Sequence, residues 1–252
     1  GWLPSLVEMG QVPEVPLEEG GQLPASGLSI LALPWLKSVA RKSPAEAGVP
    51  LAYRERSRGL VTFRDSWLAD ATMLLVDSSQ RRPGSQGHFH ASSGHFSLTA
   101  LGEYFAIDTG RYCIDQDQHN VMLHRGRAGR STNNQWSQAR HHGRLVAFEP
   151  HPVCDLASVD STLQYDDMRW AWRMAGLVKQ SIMPAYAFTV DDLNACDDWD
   201  HYAWTLNTSP ENVITITGQS ATITGCRKGH HLDVHWILPE AGRVHARHAE
   251  LM

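Results

Sequence analysis

From Leu60 onward the chain is a succession of short runs in which apolar residues alternate with polar ones or stand together: LVTF, ATMLLV, HFSLTAL, EYFAID, NVML, RLVAF, MRWAWRMAGLV, YAFTV, HYAWTL, VITIT, ATIT and LDVHWIL. Gly, Pro, Asn, Asp or Ser bounds each run, and Val, Thr, Ile and aromatic residues dominate within them, as expected of strands. No long stretch keeps a helical period. The pattern predicts an all-β fold, an antiparallel two-sheet β-sandwich, over residues 28–252. LSILALPWL (28–36) is its expected first strand, and 37–50 a surface loop. Residues 1–27 carry Pro4, Pro13, Pro16 and Pro24 with Gly20-Gly21. Because proline withholds a ladder donor, this stretch reads as a linker or an edge segment.

In MRWAWRM, Trp170 and Trp172 share one face of a strand, and Arg169, Ala171 and Arg173 share the other. Indole burial is the larger energy term, so the tryptophan face is expected to meet the core. A sugar-stacking platform is the lesser reading.

Composition narrows the function classes. A net charge of −5 without any basic run leaves nucleic acid without a docking surface. Arg125, Arg127 and Arg130 form a local positive patch, either a solvated loop or a contact for an acidic sugar. No apolar run approaches the roughly 20 residues of a membrane span. The chain starts Gly1-Trp2, without the order of a secretory signal, and reads as a piece of something longer. Cys113, Cys154, Cys196 and Cys226 include no C-x-x-C pair and give no thiolate metal site. Gly84 to Gly87 lacks the lysine and helix of a phosphate loop, and no Gly-x-Ser-x-Gly elbow supports a serine hydrolase.

Chemistry concentrates in GSQGHFHASSGHFSLTALGEYFAIDTGRYCIDQDQHNVMLHRG, from Gly84 to Gly126. On an extended strand His88 and His90 project to one side and Phe89 to the other. Asp108 at the end of the next strand and His119 from the one after complete a His/Asp/His set suited to zinc or a similar divalent ion. With 14 histidines in the chain, a hydrogen-bonded core histidine is the competing reading for each of them.

The order GHFHA (87–91), DTGRY (108–112) and HN (119–120) resembles the metal-bearing part of the heparinase II/III-like polysaccharide lyases. The likeness extends over about 58–208, through VTFRDSWLADATMLLVD and GLVKQSIMPAYAFTVDDLNACDDWDHYAWTLNT. The resemblance implies the C-terminal β-sandwich portion of such an enzyme, with zinc held by His90, Asp108 and His119. His88 would face the substrate, and Tyr112 would be a candidate proton donor. The implied reaction is β-elimination on an acidic polysaccharide containing uronic acids, such as heparin, heparan sulfate or alginate, in a bacterial periplasm or outside the cell.

Two departures stand out. Ser92 occupies a position where the family commonly has Asp, and the N-terminal α/α toroid that supplies the family's catalytic tyrosine has no counterpart in these 252 residues. The chain is therefore expected to lack one wall of the active site and to have little or no activity alone. The alternative is a non-catalytic, metal-stapled module that binds carbohydrate or supports a partner. A cupin-like metal enzyme ranks third, because no acid follows His90 until Glu103.

Overall fold

The computed structural model describes residues 42–80, 90–110, 113–125, 142–179, 185–196, 201–237 and 243–247. The expected strand at 28–36 and the segment 1–27 lie outside them. Among the described residues there are fourteen strands and two single turns of 3-10 helix. None of the described residues forms a helix long and apolar enough to cross a membrane.

The first sheet is an antiparallel meander of β1 (Ala52–Glu55), β2 (Leu60–Arg64), β3 (Met73–Asp77), β4 (His95–Ala100) and β5 (Glu103–Ala106). A second sheet orders β10 (Tyr186–Ala195), β9 (Met168–Val178), β8 (Cys154–Asp160) and β7 (Arg144–Glu149). β6 (Met122–His124) pairs with β11 (Tyr202–Trp204), and β12 (Val213–Thr217), β13 (Ser220–Thr224) and β14 (His231–His235) form a third sheet.

Alternation decides which side chains meet between the two large sheets. Val61, Phe63, Leu74, Val76, Phe96 and Leu98 point inward from the first, and Ala157, Val159, Ala175 and Leu177 from the second, in one buried cluster. The intervening positions of β2, β3 and β4 are left on the outer face, so His95 at the start of β4 stands outside the core beside its cross-strand partner Asp77. The β4–β5 turn is two residues long, with Leu101 and Gly102 both at positive φ, the geometry that suits a tight hairpin.

Two strands carry no clear sequence signal. β1 is a four-residue edge strand with two charges, AYRE. β8 directs Asp155, Ala157 and Val159 inward, so its buried face opens on an acid and a small residue. Lys179 Nζ, 2.8 Å from Asp155 Oδ2, compensates that buried charge.

The tryptophan expectation is reversed. Trp170 and Trp172 do share a face, but it is the outer one, where they are 40% and 44% exposed. Ala171, Arg173 and Ala175 turn inward. Burying Arg173 is tolerated because each arm of its guanidinium has an acceptor: Asp191 Oδ1 at 2.7 Å, Asp191 Oδ2 at 3.0 Å, and the carbonyls of Gly94 and Asn120 at 2.9 and 2.8 Å. Trp170 Nε1 donates to Asp192 Oδ1 across the sheet at 2.9 Å. All four cysteines are free.

The third sheet is tied to the first by a carboxylate. Buried Glu103 accepts from the backbone N–H of Arg227 at 3.1 Å and from that of Lys228. A Cβ on Gly225 would fall 2.2 Å from the Glu103 carboxyl carbon, so only glycine permits this approach.

Candidate metal centre

His95 ends the connection from β3 and begins β4. Beyond β5 the chain reaches Asp108, whose Oδ1 accepts the Gly110 N–H at 2.8 Å, a local turn typical of Asp. A 3-10 turn, Gln116–Gln118, then returns the chain to His119 and Asn120 just ahead of β6, and Thr109 Oγ1 donating to the Gln118 carbonyl at 2.8 Å closes this excursion. Three sequence-distant groups thereby converge on the outer edge of the first sheet.

His119 Nδ1 lies 3.0 Å from Asp108 Oδ2, and His95 Nε2 lies 3.7 Å from the same oxygen. One ligand-capable atom from each of the three residues lies within 4.8 Å of the others. The histidines are buried, while the Asp108 side chain is 43% exposed and opens the site to solvent. Burial would raise the Asp108 carboxyl, but the His119 hydrogen bond, the Gly110 N–H and the two imidazoles outweigh it and hold it at about 2. For His95, burial comes first, and His119 and Arg173 add to it against the pull of Asp108, bringing the imidazole down to about 3.

The site suits a divalent ion on its own chemistry. The His119 imidazole and the Asp108 carboxylate supply nitrogen and oxygen donors of the kind zinc-like ions take, with His95 beside them. His119 Nε2 is buried and makes no hydrogen bond among the described residues, an omission proteins rarely tolerate without a further partner.

Asn120 ties the three segments together. Its Nδ2 donates to the Phe96 carbonyl at 2.7 Å and the Ile107 carbonyl at 3.1 Å, next to His95 and Asp108, and its own N–H donates to His95 Nδ1 at 2.9 Å. From the β11 side, Asn207 N–H reaches Asn120 Oδ1 at 2.5 Å and Thr205 Oγ1 holds the His119 carbonyl at 2.7 Å.

Of the residues expected from sequence, Asp108 and His119 are brought together. His90 lies beside them, its ring centroid 5.1 Å from that of His119. It does not stand on a strand as expected, because β4 begins only at His95. His88, Tyr112, Arg127 and Arg130 lie outside the described residues; Arg125 is described, one residue past β6. His95 escaped the sequence reading, although its place at the head of HFSLTAL, with Phe96 and Leu98 inward, is the signal that points it outward. At the departure position, Ser92 Oγ lies 2.8 Å from Ser79 Oγ, and Ser79 binds Asp77 through its N–H at 2.6 Å. A carboxylate is thus present on the neighbouring strand where Ser92 lacks one.

The sandwich has a heparinase-like fold. Similar solved structures include heparan sulfate lyase HepC from Pedobacter heparinus, with a TM-score of 0.58 and 16% identity, covering 91% of this chain and 34% of that one. A mutant of the same lyase gives 0.57 and 16%, covering 81% and 31%. A heparinase III gene product gives 0.56 and 14%, covering 78% and 29%. The chain therefore spans about a third of the length of these structures. No protein-family model matches the chain. No curated protein matches it either.

Proposed function

We propose that this chain is the β-sandwich part of a polysaccharide lyase that cleaves uronic-acid polymers, such as heparan sulfate or alginate, by β-elimination. The observation that carries the reading is the convergence of His95, Asp108 and His119 on the sheet edge of a heparinase-like fold. In this reading Asp108 and His119 hold a zinc ion, with His90 as the third protein ligand. His95 serves them differently. Its Nδ1 accepts the Asn120 N–H, so a neutral ring carries its proton on Nε2, turned toward Ser97 Oγ and Asp108 Oδ2. That proton suits His95 to orient the carboxylate and opposes direct ligation. A bound zinc would supply positive charge that fixes the two loops and draws an acidic substrate.

Elimination requires a base to take the C5 proton beside the uronate carboxylate, and an acid to protonate O4 as the C4–O4 bond breaks and the C4–C5 double bond forms. His88 and Tyr112 are the proposed groups on this wall, His88 facing the uronate and Tyr112 donating to O4. A helical domain would supply the opposite wall, and the site of action would be the periplasm or the cell exterior.

The reading is tested by measuring unsaturated-uronate absorbance and calorimetric binding on heparan sulfate and on alginate. Salt-sensitive binding to one polymer, with little or no product, is expected. Binding to neither polymer, with no product, overturns the reading; rapid product formation keeps the lyase and overturns the need for a second wall.

The exposed Trp170 and Trp172 favour one second reading, a carbohydrate-binding module without catalysis, since flat aromatic faces stack on sugar rings. Binding abolished by Trp172→Ala and untouched by Asp108→Ala would favour it.

A further inference from the structure

Arg173 reaches the candidate metal centre from the opposite sheet. It sits on β9, is 3% exposed, and is held in a fork by both oxygens of Asp191 on β10. Its Nη1 donates to the Gly94 carbonyl, one residue before His95, and to the Asn120 carbonyl, one residue after His119. The Phe96 ring packs beneath the guanidinium at 5.9 Å. Through one nitrogen the second sheet fixes the distance between the two backbones that carry the buried imidazoles. A planar guanidinium locked by a carboxylate fork has one orientation, which a flexible ammonium lacks.

We propose that the Arg173–Asp191 pair is a positioning clamp for the metal centre, holding the ligand His119 at the separation from His95 at which His95 orients the Asp108 carboxylate, before an ion arrives. The inference rests on the metal reading above. It assigns no contact between Arg173 and the ion; the clamp acts through the two carbonyls.

The test is zinc affinity by chelator competition, with the visible spectrum of the cobalt-substituted chain and thermal unfolding of the metal-free chain measured alongside. Arg173→Lys keeps the charge and cannot span both carbonyls while holding the fork, so zinc affinity should fall about 10- to 100-fold and the cobalt spectrum should change. Asp191→Asn, which leaves the arginine but weakens its fork, should give a smaller loss in the same direction and serves if Arg173→Lys does not fold. Lys179→Met breaks the other buried ion pair of the sheet, one residue past the end of β9 and about 20 Å from Arg173 along the chain, and should lower metal-free stability while keeping zinc affinity. Wild-type affinity in both clamp variants overturns the proposal, as does an equal loss in Lys179→Met, which would trace the effect to global stability. A wild-type chain that binds neither zinc nor cobalt overturns the metal reading itself, and the clamp's role with it.

Discussion

At the scale of single residues, His95 shows how burial and neighbouring charges set a protonation state. The folded chain holds its imidazole at about 3 against an ordinary 6.5. The unfolded chain therefore takes up a proton first, and folding loses stability as pH falls from 6.5 toward 3, by at most about 1.4 kcal/mol per pH unit. The contribution is fully present above 6.5. Asp108, held at about 2 against 3.8, adds a loss only below 3.8, under the range in which most of the His95 loss falls. Chemical denaturation of the metal-free chain between pH 7 and 4 should show the loss, and His95→Asn, which keeps an acceptor for the Asn120 N–H, should flatten it. An unchanged slope in the variant would mean that other groups carry the titration.

Asp108 and His119 were legible because their residue types and order mark a donor set. His95 was not, because pairing it with them depends on the Asn120 and Arg173 bonds that fold two loops over the sheet edge, and no local pattern encodes those. The same bonds explain why the tryptophans face outward: a fully partnered arginine took the inner face that indole burial was expected to claim.

At the scale of elements, alternation located most strands, since nearly every run with a clean period of two became one. It failed at β8, where the inward Asp155 depends on Lys179 from the neighbouring strand, and at the four-residue edge strand β1. The attachment of the third sheet is equally invisible to local pattern. Burial pushes the Glu103 carboxyl up, and hydrogen bonds from the backbone N–H groups of Lys228, Arg227, Gly229 and His230 outweigh it, leaving the group below its ordinary value. Glu103→Ala leaves buried donors without their acceptor and should cost about 1–3 kcal/mol, with amide exchange accelerated first in β12–β14. Uniform acceleration across all the sheets would show that Glu103 supports the whole fold and is no local tether.

At the scale of the whole molecule, two sheets share one apolar core, and the candidate centre sits on the outer edge of the first sheet, braced from the second by Arg173. Such a centre is buried at its two histidines and open to solvent at Asp108. The chain matches about a third of the length of heparan sulfate lyase HepC, and the proposal of a helical second wall draws support from that difference in length. The most direct test is zinc stoichiometry by elemental analysis of the purified chain and its variants. About one zinc per chain is expected in the wild type, with none in Asp108→Ala, His119→Ala or His90→Gln and weakened retention in His95→Asn. Absence of zinc from the wild type, or full retention in Asp108→Ala and His119→Ala, would contradict a metal centre at this sheet edge.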